Sequence, residues 1–597
     1  MQNKLVEKIK KYDIIRLMET NDKLHNLRHS LAHLLAAAVL EIYPETKVTL
    51  GPPIDDGFYY DFDFKSPISD KDLPKIEKKM REILKTWKEF SVEEKTFDEA
   101  KKYFSGNEYK TELIDGLKNE KITLYTCGKF TDLCRGGHME NPSKEISPDC
   151  FKLDRVAGAY WRGDEKNKML TRIYGLAFEN KEELEAFINQ REEAKKRDHK
   201  KLGRELGLFT ISDLVGAGLP LIKPKGMIIR KAIEDFLWDL HKDKGYSRVW
   251  TPHIAKEKLY ETSGHAAKFG DELFRVQGKE EKFFLKPMNC PHHMQIFIDD
   301  QYSYRDMPVR YFEPATVYRD EKSGQLGGLT RVRAITQDDG HLFCRKDQIG
   351  DEIKTIINII KEFYGVIGMM NNYWVRLSLR GDDKTKYLGS DEVWDTAEKA
   401  LRDVCESEKL PYREAKDEAA FYGPKLDFMF KDSIGREWQL ATIQCDFNLP
   451  ERFDLSFANE KNEKERPVVI HRAISGSLER FMGVLIEHFA GAFPLWLSPV
   501  QVKILPISTD KHLDFANEVF KTLKENGVRV ELDDTNESLG KKIRGAKMQK
   551  IPYLVVIGDK EKETKTLTVE GREGEKLENI TSSDFLAKIK DLVENKK

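Results

Sequence analysis

Residues 286–297 read KPMNCPHHMQIF, and Cys290 stands two positions before a pair of histidines. A thiolate and neutral imidazoles are ligands for a metal such as zinc, and local spacing offers His292 and His293 as partners. The same spacing suits a buried structural cysteine, which is how most free thiols end up. A second set lies in HSLAH, with His29 and His33, and in CRGGH, with Cys134 and His138. Positions i and i+4 share one helix face, so these pairs read either as a metal site or as core histidines. The third set is basic. Residues 308–343, PVRYFEPATVYRDEKSGQLGGLTRVRAITQDDGHLF, bring Arg319, Arg331 and Arg333 to the loop end of two strand-like runs. Guanidinium forks there match phosphate oxygens, although a solvated hairpin with surface arginines reads alike. In PVVIHRAISGSLERFMGVLIEH a strand turns through Gly476 and Ser477 into a helix carrying Arg480 in its first turns. A helix start beside an arginine favours anions.

Several elements are needed to position these groups, and the 597-residue length supplies them, since single cores stop growing at roughly 250–300 residues. A hydrophobic fraction of 40% and a charged fraction of 34% describe a globular chain. Its longest apolar stretch, LAHLLAAAVL, is too short to span a bilayer, and no secretory segment is visible. Seven cysteines without regular spacing fit a reducing compartment and predict a cytoplasmic protein. The net charge of −2 carries no global polyanion signal, so basic patches must be sought locally. The pattern predicts a short N-terminal extension over 1–22, an α+β unit over 23–180 and a charged connecting helix over 181–206. A large unit follows over 207–499, then an alternating α/β domain over 500–597.

The apolar helix leading to a strand with Pro252, the arginine hairpin and the turn into Arg480 resemble motifs 1, 2 and 3 of the class II aminoacyl-tRNA synthetases. MNCP, TQDDGH, AFYGPKLDF and VVIHRAISGSLERF, in that order and spacing, resemble the threonyl-tRNA synthetase family along nearly the whole chain. The resemblance implies an α+β editing domain, a class II antiparallel-sheet catalytic domain and a C-terminal α/β anticodon-binding domain. It implies ATP-dependent activation of L-threonine, transfer to the 3′ end of tRNA(Thr), and hydrolysis of mischarged seryl-tRNA(Thr).

Residue by residue, the resemblance assigns Arg319 to the α-phosphate of ATP and Arg480 to the γ-phosphate, with Glu321, Arg331, Gln439 and Thr442 on the nucleotide and Mg²⁺ on the phosphates. Fixed cations aimed at charge developing on phosphorus stabilise the transition state more than the ground state. It makes Cys290, His341 and His471 the ligands of one zinc ion per subunit, and His292 and His293 bystanders. Asp339 would hold the threonine hydroxyl, Gln337 and Tyr422 the amino group, and Met288 would line the pocket. An apolar pocket separates isosteric valine from threonine by only about 10²-fold, which a metal–hydroxyl contact improves. Serine differs by one methyl, worth about 1–3 kcal/mol, so a second, editing site is required. His29, His33, Cys134 and His138 are implied there, with Asp132 and Lys110 assisting. A lone loop histidine is usually a surface residue, but His265 becomes by family position the base relay for the terminal ribose, where a near-neutral imidazole suits proton transfer. KKIRGAKMQK, five basic residues in ten, would face the anticodon stem or loop, and motif 1 implies a homodimer without a membrane partner.

Departures are also legible. Most members begin with a small ubiquitin-like domain, which residues 1–22 are too short to contain. His292 replaces a usual glycine, Ile335 stands where an aromatic often stacks on adenine, and Leu440-Ala441 replaces a common Cys-Gly. Glu570 takes the place of an expected arginine, with Arg572 two positions on and so on the same strand face.

Overall fold

The computed structural model describes residues 23–118 and 120–597, so the expected extension over 1–22 lies outside the described residues. The chain divides into two compact units after Glu192.

The first unit opens on a helix over residues 23–42, whose Leu27, Leu31, Leu34, Leu35 and Val39 fall on one buried stripe. Pro44, which cannot continue a helix, follows it. The stripe shares a core with Phe58, Tyr60 and Phe62. These alternate along the strand Gly57–Asp63 and so point to one face. That strand sits inside a five-stranded sheet with Met169–Ala177 and Phe151–Tyr160 beyond it. A separate three-stranded antiparallel sheet joins Ser91–Lys95, Ile122–Cys127 and Phe130–Leu133, and delivers Cys134 just past its last strand.

The charged segment 181–206 is not the single helix its composition predicts. A helix Lys181–Arg197 ends at Asp198, which is non-helical at φ −46° and ψ 118°. Its carboxylate accepts from the backbone N–H groups of Lys200 and Lys201 at 2.7 and 3.3 Å. A new helix, His199–Glu205, starts there. A short acceptor that satisfies orphan donors competes with helix continuation.

The second unit is built on an eight-stranded sheet in the order Tyr246–Arg248, Val309–Tyr318, Ala334–Cys344, Val468–Ser477, Glu437–Asp446, Lys425–Lys431, Tyr373–Ser378, Tyr412–Ala415. Its interior pairs are antiparallel, and only the outermost pair at each edge is parallel. The apolar helix Ile349–Ile367 buries nine of its aliphatic and aromatic residues against this sheet and neighbouring helices. The strand Val468–Ser477 passes without a loop into the helix Leu478–His488, where Ser477 Oγ caps by accepting from Arg480 N–H at 3.2 Å. The last part is a five-stranded sheet, Val530–Leu532, Val502–Pro506, Tyr553–Ile557, Leu567–Gly571, Lys576–Ile580, with three helices of ten or more residues. The expected combination of α+β and α/β parts is the one the chain adopts.

Two details of that last part correct the sequence reading. The strand ends at Gly571, so Arg572 does not share a strand face with Glu570. Its guanidinium instead donates to the carbonyls of Lys550 and Phe493. Within KKIRGAKMQK, Lys542 is buried and donates to the carbonyls of Pro506 and Asp533, and Lys547 pairs with Glu570 at 2.8 Å.

Candidate functional site

In the second unit, Cys290 opens the helix Cys290–Asp299, while His341 and His471 stand directly opposite each other on neighbouring antiparallel strands. All three are buried, and one ligand atom from each lies within 4.8 Å of the others. Hydrogen bonding settles which imidazole nitrogens are free. His471 Nε2 meets Asp446 at 2.9 Å, and its Nδ1 is buried without a partner. His341 Nδ1 is 2.8 Å from His293 Nδ1, and His293 Nε2 is 3.0 Å from Glu313. Asn289 Nδ2 lies 2.9 Å from His293 Nε2 and donates to Glu313 at 2.6 Å; with that amide serving Glu313, Glu313 also accepts from His293 Nε2–H and His293 Nδ1 accepts from His341 Nδ1–H, which leaves His341 Nε2 free. A thiol, whose other neighbour is His265 Nε2 at 3.5 Å, and two imidazole nitrogens fit a borderline divalent metal, with carboxylates orienting the rings from behind.

The opening pair of histidines is therefore split. His293 backs His341, and His292 points elsewhere, edge-on to Tyr260 at 6.1 Å. Neither nitrogen of His292 has a partner among the described residues, and burial, with Lys286 nearby, pushes its pKa down to about 4.

Beside the triad is a cavity of 650 Å³ lined by Met288, Arg319, Gln337, Tyr422, Gln439, Thr442 and Arg480, with His265 and Ile335. Asp339 sits behind it, 3.9 Å from His341 Nδ1. Tyr422 donates to Gln444, and its ring lies 5.0 Å from that of His471. Arg319 lies over Phe269 with its Nε unpartnered among the described residues, and burial lowers its pKa. Arg480 Nε donates to Thr330 O at 3.0 Å. Glu321 and Arg331 are outside the lining and pair with each other at 2.7 Å. His265 is not a surface residue. It is fully buried at the start of the helix His265–Phe269, with Nδ1 2.8 Å from Ser263 Oγ and Nε2 3.5 Å from Cys290 Sγ. Burial, reinforced by His471, Arg319 and Arg452, pushes its pKa to about 3, so the imidazole is neutral rather than poised near neutrality.

Sequence reasoning missed Asp427, a fully buried carboxylate in AFYGPKLDF. It accepts from Arg376, Ser378, Lys425, Gln439 and Thr442 at 2.6–3.1 Å and so ties together side chains of three neighbouring strands. Alternation places Lys425 and Asp427 on one face, a signal that was present but unused. Asp446 and Glu313, which orient the two histidines, carry no comparable signal.

In the first unit, His29, His33, Lys110, Asp132 and Cys134 line a cavity of 410 Å³. Cys134 Sγ is 3.5 Å from His29 Nε2 and 3.2 Å from His138 Nε2. Lys110 and Asp132 form a buried ion pair, and Tyr60, which sequence reasoning did not single out, donates to Asp132 at 2.5 Å. Burial, aided by Lys110 and His29, drives the His33 pKa well below its ordinary value, and burial, aided by His33 and His29, brings His138 to about 2. Both rings are neutral bases, and the four groups could also hold a metal.

Three family descriptions match this chain: "tRNA synthetase class II core domain (G, H, P, S and T)" over residues 274–489, "Anticodon binding domain" over 501–592, and "Threonyl and Alanyl tRNA synthetase second additional domain" over 122–174. A threonine–tRNA ligase from Rubrobacter xylanophilus is 48% identical over 575 residues, covering 96% of this chain and 89% of the relative. One from Gloeobacter violaceus is 49% identical over 574 residues, covering 94% and 91%. The crystal structure of the RNA binding domain of threonyl-tRNA synthetase from Cryptosporidium parvum superposes with a TM-score of 0.63 at 34% identity, over 66% of this chain and 98% of that one. A class II core, an anticodon-binding domain and an additional domain, matched at this identity over nearly the full length of the relatives, place the chain in the threonine–tRNA ligase family.

Proposed function

We propose that this enzyme activates L-threonine with ATP, transfers the threonyl group to the 3′ end of tRNA(Thr), and hydrolyses seryl-tRNA(Thr) formed in error. The observation that carries the reading is the buried Cys290, His341 and His471 set, with unpartnered His471 Nδ1, beside a cavity lined by Arg319 and Arg480.

Cys290 Sγ, His341 Nε2 and His471 Nδ1 would hold one zinc ion, which when bound supplies a Lewis acid for the amine and hydroxyl of threonine. Asp339 accepts from the hydroxyl, and Gln337 and Tyr422 orient the amino group. A threonine carboxylate oxygen attacks the α-phosphorus, a new P–O bond forms, and the bond to the β-phosphate bridge breaks with pyrophosphate as leaving group. Arg319 neutralises charge on the α-phosphate and Arg480 on the leaving γ-phosphate, in a cavity where burial strengthens both. Glu321, Arg331, Gln439 and Thr442 hold the nucleotide, and Mg²⁺ accompanies the phosphates. In transfer, the ribose hydroxyl attacks the adenylate carbonyl carbon, AMP leaves, and neutral His265 relays the hydroxyl proton.

Serine keeps the amine and hydroxyl, so it escapes the first site. In the editing site a water oxygen attacks the seryl carbonyl carbon and the ester bond to the ribose breaks. Neutral His29, His33 or His138 can take the water's proton, which then passes to the ribose oxygen, while the Lys110–Asp132 pair and Cys134 fix the polar surroundings. The basic face with Lys541, Arg544, Lys547 and Lys550 is the surface for the anticodon arm, Lys542 being occupied internally. A homodimer through motif 1 is supported by the 73% exposure of Trp250, two residues before Pro252. A cytoplasmic setting is supported by seven free cysteines, and no helix among the described residues is long and apolar enough to cross a membrane.

The test is metal content together with ATP–pyrophosphate exchange driven by threonine, valine and serine, in wild type and Cys290→Ala, and hydrolysis of seryl-tRNA(Thr) in Cys134→Ala. The reading expects one zinc per chain, threonine exchange with weak serine exchange and none with valine, all lost in Cys290→Ala, and hydrolysis lost only in Cys134→Ala. Exchange indifferent to Cys290 sinks the metal-based selection.

A further inference from the structure

The helix break at Asp198 places His199 in the second unit's core, 5% exposed, where the reaction proposed above gives an imidazole no task. Both ring nitrogens are nonetheless engaged. Nδ1 lies 2.6 Å from Glu487 Oε1, an oxygen that also accepts the His199 backbone N–H at 3.0 Å. Nε2 accepts the backbone N–H of Leu329 at 3.0 Å. A backbone donor aimed at Nε2 needs a lone pair there, so the ring proton sits on Nδ1 and points to Glu487.

Leu329 belongs to the glycine-rich loop of the arginine hairpin. Gly328 before it has φ +62°, and a Cβ at that position would lie 2.3 Å from His199 Nε2, so the ring occupies the space a side chain would need. Thr330 after it offers the carbonyl that receives Arg480 Nε at 3.0 Å. The loop also lies close on the helix Leu478–His488, where a Cβ on Gly483 would be 3.3 Å from both Leu329 and Thr330. Glu487 and Arg480 are on that same helix. Helix, imidazole, loop and phosphate arginine thus form one closed circuit of hydrogen bonds.

We infer that His199 is a positioning residue for ATP: by presenting a lone pair to Leu329 N–H it locks the glycine-rich loop against the helix and so sets the direction of Arg480. The inference rests on the reading of Arg480 as a phosphate ligand. A ring that merely fills space would be replaced equally well by any side chain of similar size, so the two roles separate by chemistry. In His199→Gln the amide oxygen can reach toward Leu329 and accept. In His199→Asn the shorter amide can still donate to Glu487 but leaves Leu329 N–H buried without an acceptor, a loss that corresponds to about 5–100-fold in affinity.

The experiment is threonine-driven ATP–pyrophosphate exchange in the full chain, with KM for ATP and for threonine measured separately. His199→Asn is expected to raise the ATP KM about tenfold while leaving the threonine KM within about twofold. His199→Gln should recover most of that, and Gly328→Ala, which pushes on the same ring from the loop side, should raise the ATP KM as well. Equal ATP KM values in His199→Asn and His199→Gln overturn the inference, as does a loss shared equally between ATP and threonine. Wild type without threonine-driven exchange overturns the functional reading and this inference with it, whereas an active wild type with unshifted variants overturns the inference alone.

Discussion

At the scale of single residues, the second unit uses chemically identical side chains for opposite purposes a few ångströms apart. His293 and His292 are neighbours in sequence and both buried, but consecutive helical positions differ by about 100° in direction. His293 bridges His341 to Glu313, and His292 ends against Tyr260 with both nitrogens unpaired. Removing an orienting partner behind a metal ligand typically costs 10–100-fold in metal affinity. His293→Ala is therefore expected to release metal to a chelator at about 10–100-fold lower competitor concentration. His292→Gly should retain wild-type metal affinity in the same titration. Equal metal loss in both variants would show that Glu313 and His293 do not act through His341. The local sequence displays the donor types but not this division, because direction around a helix depends on what packs on each face.

At the scale of elements, Arg480, the proposed γ-phosphate ligand, follows a tight strand-to-helix bend whose backbone leaves little choice of residue at Gly476. Gly476 has φ +70°, and a Cβ there would stand 2.5 Å from the carbonyl oxygen of Leu440, a backbone atom that cannot swing aside. Gly476→Ala is expected to destabilise the second unit by about 1–3 kcal/mol and to raise the ATP KM, since the turn aims the first helical residues and Arg480 with them. A urea midpoint and an exchange assay on the same preparation check both, and an unchanged ATP KM would detach the turn from nucleotide binding. The strand, turn and helix here were readable from VVIHRAISGSLERF, because apolar alternation, a Gly-Ser turn and helical spacing agree locally. The break at Asp198 was not readable: charge content suggested one helix, and the competition between a capping carboxylate and helix continuation was decided by the contacts of His199 with Glu487 and Leu329.

At the scale of the whole molecule, many of the histidines are buried and held neutral, which makes stability depend on acid. His241 is fully buried, donates Nδ1–H to Leu237 O at 2.6 Å, and is pushed to about 2 by burial and then by the charge of Arg472. An unfolded histidine titrates near 6.5, so between these values the unfolded chain binds a proton that the folded chain refuses. The folded state is thus fully favoured above about pH 6.5 and loses stability as pH falls, by up to about 1.4 kcal/mol per pH unit for each such group. Urea midpoints of the second unit should fall from neutral pH toward about pH 5, and His241→Phe should flatten that slope by one proton's share. A slope unchanged in His241→Phe would mean that other groups carry the acid sensitivity. The sequence by itself determined the local motifs and, through a resemblance that spans the chain, the family, because those depend on residue type and short-range periodicity; the ligating and phosphate-facing residues it only proposed. Only the tertiary structure decided that His471 Nδ1 is left without a partner among the described residues, that His265 is buried and neutral, and that His199, Asp427 and Glu313 are hydrogen-bonded to groups brought in from other elements. Those outcomes depend on burial and on partners far away in sequence, which the strand register of the eight-stranded sheet brings together and no local pattern records.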